Sequence, residues 1–143
     1  MPFRFRDDIA TADVAFDAWG MTKDELFAAA AGALLRTMTA EPDEVERRVT
    51  LEFGLEHGEL DLLLLDFLNE LVYVKDARRL LLHLDEVHIG GRVGAYRLDA
   101  RGWGEEIEPC RHKLLVDVKA ATLHRLNLAC EGGVWRATVV LDV

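Results

Sequence analysis

The chain has 143 residues, half of them apolar and 30% charged, the proportions of one soluble globular domain. Acidic residues outnumber basic ones 26 to 17, for a net charge of −9. A surface that grips a phosphate backbone needs clustered Lys and Arg, so stable direct nucleic-acid binding is not expected, while a basic protein partner stays open. No apolar run reaches the roughly 20 residues of a transmembrane helix. The opening Met1-Pro2-Phe3-Arg4-Phe5-Arg6-Asp7-Asp8 offers no stretch suited to a signal peptide, so the expectation is a cytoplasmic protein with no membrane contact. Cys110 and Cys130 make neither a disulfide framework nor a zinc ligand set.

Across Ala12 to Trp19, Val14, Phe16 and Ala18 alternate with Asp13 and Asp17, which predicts a half-exposed strand ended by Gly20. Thr22-Lys23-Asp24-Glu25 has the form of a capping box: Thr22 accepts from the Glu25 amide and Glu25 returns to the amide of Thr22. The helix it opens runs to about Met38, with Phe27, Ala30, Ala31, Leu34, Leu35 and Met38 at helical spacing. After an acidic connection around Pro42, Val45 to Leu55 reads as a strand with Val49, Leu51, Phe53 and Leu55 on one side. Glu59 to Asp76 is a second helix whose apolar residues cover most of its circumference, so it is expected to be largely buried. A narrow polar stripe remains on it, Asp66, Asn69, Glu70 and Tyr73, which reads most simply as a solvated edge.

Beyond Asp76 the pattern is strand throughout. Leu80 to His88 and Arg92 to Arg101 flank Gly90-Gly91, which predicts a tight hairpin there. Gly102 to Pro109 reads as a loop, Leu114 to Cys130 as extended, Gly132-Gly133 as a turn, and Val134 onward as a last strand. Together these predict an α+β fold spanning residues 1–143 as a single domain, two helices packed on antiparallel or mixed sheets. Strands and Gly-rich turns recur in both halves, a hint of a duplicated strand–helix–strand unit.

Few residues offer catalytic chemistry. The chain has no serine, so no serine nucleophile exists. Cys110 lies near His112 in sequence, which does not by itself make a base in position, and Gly90-Gly91 lacks the Gly-Lys-Thr ending that cradles phosphates. His57, His83, His88, His112 and His124 show no metal-site spacing. The carboxylates hold more interest: Asp13 and Asp17 project from one face of the first predicted strand, and Asp142 precedes Val143. If the first and last strands are neighbours, Asp13, Asp142 and the Val143 carboxylate meet at a sheet end, a set of hard oxygens that suits Ca²⁺ or Mg²⁺. Solvent-facing acids on strands account for the same spacing.

Several segments, in order and spanning almost the whole chain, resemble the archease family. Thr11-Ala12-Asp13 is similar to its His-Thr-Ala-Asp opening, and Thr22 to Met38, with Glu25-Leu26-Phe27, to its first helix. Phe67-Leu68-Asn69-Glu70-Leu71 resembles its Trp-Leu-Asn-Glu-Leu core, and Gly104-Glu105 followed by Pro109, Arg111 and His112 its acidic loop leading to Arg-x-His. Val118-Lys119-Ala120-Ala121-Thr122-Leu123-His124 resembles its Val-Lys-Ala-x-Thr-Tyr-His strand, and Trp135-Arg136-Ala137 with Leu141-Asp142-Val143 its closing strand.

The resemblance implies a duplicated strand–helix–strand–strand module and a non-catalytic, chaperone-like role. It implies a protein cofactor of the RtcB-type RNA ligase that promotes charging of the ligase with GMP and repeated turnover in tRNA splicing or RNA repair. By position it implies Asp13 and Asp142 as metal ligands with an oxygen of Val143, a divalent metal expected to be Ca²⁺ with Mg²⁺ or Mn²⁺ as alternatives, and Lys119 as the residue of ligase activation. Asp17, Glu70 and His124 are weaker candidates, as neighbours of that site or as partner contacts. The chain departs from the family pattern at Ala10, where the family has His, at Leu123, where it has Tyr, and at Asp66 and Phe67. The rival readings, a metal-dependent hydrolase and a small-molecule-binding module, use the same carboxylates. The first lacks an evident nucleophile or general base.

Overall fold

The computed structural model describes residues 2–9 and 13–143. A short strand β1 (Phe3–Phe5) precedes β2 (Val14–Gly20) and α1 (Lys23–Met38). Then come β3 (Val49–His57), α2 (Leu60–Arg78), the hairpin β4 (Leu80–Arg92) and β5 (Ala95–Glu106), and the hairpin β6 (Ala120–Glu131) and β7 (Val134–Asp142). All pairings are antiparallel. They build two sheets, ordered β1-β2-β7-β6 and β3-β5-β4.

The order of strands exposes a duplication. In one unit β2 and α1 are completed by the hairpin β6–β7; in the other, β3 and α2 are completed by β4–β5. In each, the first strand pairs with the second strand of its hairpin, giving the parallel orders β2-β7-β6 and β3-β5-β4. The second unit is inserted whole between α1 and β6 of the first. Both hairpins also carry a register irregularity on their leading strand, at Leu84/Glu86 and at Thr122/Asn127.

Between the sheets lie the helices. α1 packs chiefly on β2 and β4, and α2 chiefly on β6 and β3, so each helix bridges both sheets. That placement explains why α2 is apolar around most of its girth: Leu63, Leu64, Phe67, Leu68, Leu71, Val72 and Val74 are all buried. Phe67 stands at the centre, fully buried, with its ring 5.6 Å from Phe27 of α1 and 6.1 Å from Phe53 of β3. One continuous cluster of buried residues runs through both units, an α+β fold of a single domain.

Local details correct several expectations. Thr22 caps α1, accepting from Glu25 N at 3.1 Å, but Glu25 reaches one residue further back and accepts from Met21 N at 2.7 Å. β3 starts at Val49 rather than Val45, because Pro42–Glu44 forms a 3-10 turn and Arg48 N is the first amide to bond to β5, at Gly104 O. The hairpin turn falls at Val93-Gly94, not Gly90-Gly91; Gly94, with φ 94°, supplies the positive φ that the turn needs. Gly102 to Glu106 continue β5 instead of forming a loop. A Cβ on Gly102 would stand 2.6 Å from His83 O and one on Gly104 1.7 Å from Leu81 O, so these glycines mark close approach of β4. Residues 114–119 are irregular, and β6 begins only at Ala120.

Candidate functional site

β2 and β7 are neighbours, and their last described pair is Val14 with Leu141. Carried one residue on, the antiparallel register sets Asp13 against Asp142. Phe16, Ala18, Val139 and Leu141 join the core cluster, so Asp13 and Asp142, alternate to them, belong to the other face of the sheet, the one that also carries Ala15 and Val140. Both are exposed. On the other side of β7, Ala120 pairs with Asp142, and Lys119 N donates to Asp142 O at 2.8 Å. Val143 follows, partly buried against the core. One end of this sheet therefore gathers Asp13, Asp142, Val143 and Lys119. Among the described residues no three His, Cys, Asp or Glu side chains gather. The oxygen donors at this end are two carboxylates plus backbone. Beside Asp13 opens a cavity of about 590 Å³ lined in part by Phe3, Phe5, Arg36, Leu115 and Val116.

The weaker candidates sit elsewhere. Asp17 is four residues from Asp13 along β2, about 13 Å at a strand's usual rise. Its carboxylate accepts from Thr138 Oγ1 at 2.7 Å, Arg6 Nη1 at 2.9 Å and Arg4 Nε at 3.2 Å. Burial pushes that carboxyl up, but the bonds from Thr138, Arg6 and Arg4 outweigh it and hold the group below its ordinary value. Asp17 thus fastens β1 to β2 and β7. His124 is exposed in the irregular stretch of β6, next to Arg125, whose φ of 54° is left-handed. Glu70 is half-buried on α2 beside Asn69. Ala10 lies outside the described residues.

Sequence reasoning gave no role to three groups that hold this end in place. Asn69, in the stripe read as a solvated edge, makes two bonds to the free edge of β6: its Nδ2 donates to Ala121 O at 3.1 Å and its Oδ1 accepts from Ala121 N at 2.8 Å. Lys75, one 5% exposed cation on α2, donates to Val118 O at 2.6 Å, to the Asp117 carboxylate, and to Asp76 at 2.9 Å. Its one signal was a lysine interrupting an apolar run.

The third group is Glu105, 1% exposed, which accepts from Glu46 N and from Arg111 and faces His112 Nε2 at 3.3 Å. His112 Nδ1 accepts from Glu108 N at 2.9 Å, so in the neutral ring the proton sits on Nε2, toward Glu105. Burial raises the Glu105 carboxyl, yet the Glu46 amide, Arg111 and His112 together hold it below its usual value. Glu105 anchors the start of the crossover to β6. Further along, Leu115 N bonds Met38 O at 2.9 Å and Ala40 N bonds Lys113 O at 2.8 Å. Leu114, Leu115 and Val116 are left 45%, 53% and 39% exposed.

Residues 3–143 match the Archease protein family (MTH1598/TM1083). The chain belongs to the archease family. The archease of Pyrococcus furiosus is 32% identical over 134 residues, 93% of this chain and 94% of that one, and the archease of Methanopyrus kandleri is 33% identical over 133 residues. In three dimensions the solution structure of Methanobacterium thermoautotrophicum protein 1598 superposes with a TM-score of 0.86 at 31% identity, covering 99% of each chain. The crystal structure of a Thermotoga maritima archease, described as a possible chaperone, shares the fold at a TM-score of 0.62 and 19% identity over 96% of each chain. Archease relatives are thus named as proteins or a possible chaperone rather than for a reaction. No described helix of this archease is long and apolar enough to cross a membrane.

Proposed function

We propose that this archease is a non-catalytic activator of an RtcB-type RNA ligase in the cytoplasm, promoting its charging with GMP from GTP and its repeated turnover in tRNA splicing or RNA repair. The reading is supported above all by the meeting of Asp13, Asp142 and Lys119 at one sheet end in a chain of this family. Asp13 and Asp142 with an oxygen of Val143 would hold a divalent metal. The donors are all hard oxygens, without the nitrogen or sulfur that softer ions favour, which fits Ca²⁺ first and Mg²⁺ or Mn²⁺ next. Bound there, the metal would supply positive charge that orders the end of the sheet. Lys119 is exposed and meets an anion of the partner, a nucleotide phosphate or a ligase carboxylate. A net charge of −9 favours encounter with a basic, RNA-handling enzyme.

A guanylylation assay with the RtcB-type ligase of the same organism, GTP and Mn²⁺ tests this, with the archease at sub-stoichiometric amounts. Faster and repeated GMP charging is expected. Asp13→Ala should lose about tenfold or more of the stimulation, at least what partners of metal ligands are worth. No stimulation by the unaltered protein overturns the ligase reading; full stimulation by Asp13→Ala overturns the metal.

A further inference from the structure

Lys75 is the one lysine or arginine buried among the described residues. An ammonium inside an apolar helix face is costly unless its hydrogens are engaged, and a leucine there would extend the face at no such cost. What Lys75 reaches is backbone: the carbonyl of Val118, itself fully buried, with Asp117 beside it. Six residues earlier on α2, Asn69 takes both the amide and the carbonyl of Ala121. The helix thus grips one stretch of chain at 117–118 and again at 121. Between the grips lie only Lys119 and Ala120, the two residues that join β7 at Asp142, the first through its amide at 2.8 Å and the second as a strand pair.

We propose that Lys75 and Asn69 are positioning residues that set Lys119 against Asp142, so that the ammonium and the carboxylate meet the partner in one geometry. The proposal rests on the activator reading above for its consequence, and on the two-point grip for its cause. The grip also reaches across the duplication, since α2 belongs to the inserted unit while β6 and β7 belong to the outer one. Residues 115–119 are outside regular strands: Leu115 N is held by Met38 O at the end of α1, and at 117–118 α2 takes the place of the neighbouring strand that would otherwise hold the chain.

The test compares full-length Lys75→Met, Lys75→Arg and Asn69→Leu with the unaltered protein. A control, Ile89→Ala on β4, is chosen to lower stability far from the grip. Amide hydrogen exchange reads the cause. Protection at Lys119, Ala120 and Ala121 should fall about tenfold in Lys75→Met and Asn69→Leu, the scale of one lost hydrogen bond, with β4 and β5 unchanged. The guanylylation assay reads the consequence. The maximal stimulated rate should fall in Lys75→Met and recover in part in Lys75→Arg, while Ile89→Ala keeps it. Unchanged protection at 119–121 in a folded Lys75→Met overturns the proposal, as does an equal loss of rate in Ile89→Ala. If the unaltered protein does not stimulate the ligase, the activator reading falls, and the exchange measurement still judges the grip.

Discussion

Glu105 is ionised at 1% exposure because two donors converge on it, the Glu46 amide and Arg111, with His112 Nε2 3.3 Å away. Its folded value lies below the ordinary 4.5, so its ionised form contributes stability at pH above that value, and the contribution is lost as pH falls. Glu105→Gln keeps the shape but leaves Arg111 with Glu108 as its one remaining carboxylate partner, and should cost about 2 kcal/mol at pH 7. Urea midpoints at pH 7 and pH 4 check both halves. The unaltered protein should lose stability on acidification and the Gln variant should lose less; parallel losses would place the acid-sensitive group elsewhere. Of this arrangement the sequence showed only the order Gly104-Glu105, Arg111, His112, carried by family resemblance. Spacing along a chain does not tell that an acid between two strands is sealed from water, because the loop that covers it, at Glu46, lies far off in sequence.

Helices were legible and turns less so, for a physical reason. Apolar spacing placed α1 and α2 within a residue or two of their ends, since each must bury a wide face whatever it packs against. Glycine is ambiguous: it permits a turn, and it equally permits another backbone to come close. Gly102 and Gly104 serve the second purpose inside β5, and Gly94, not Gly90, serves the first. Where both central residues of a turn need positive φ, the signal is unequivocal, as at Gly132 with φ 60° and Gly133 with φ 79° between β6 and β7. Gly133→Ala should therefore cost about 1–2 kcal/mol, the penalty of a left-handed residue bearing Cβ. Gly132→Asn should be nearly neutral, since Asn tolerates that region. Thermal melts of the two variants decide it; equal losses would mean that the turn lacks this geometry. The candidate-site end, by contrast, was legible only as a conditional: the alternation put Asp13 and Asp142 on faces, but which strands are neighbours is a property of the whole topology.

That topology makes the two units interdependent. The outer unit cannot close its sheet until β6 and β7 have been added, after the whole inserted unit has passed. Its candidate site, drawn from β2, β7 and the approach to β6, is braced from the inserted unit by Asn69 and Lys75. Phe67 is the hinge of this dependence, touching Phe27 of the outer unit and Phe53 of its own. Truncating a fully buried phenylalanine costs about 3–5 kcal/mol, through lost burial and the cavity left behind. If the units share one core, Phe67→Ala lowers the stability of both together. The three tryptophans report this separately: Trp19 and Trp135 lie in the outer unit and Trp103 in the inserted one. Followed by the indole resonances in urea, all three should lose their native signals at one lowered midpoint. A midpoint for Trp103 distinct from that of Trp19 and Trp135 would show two cores, and the bracing of the site by α2 would then be a contact between independently folding halves.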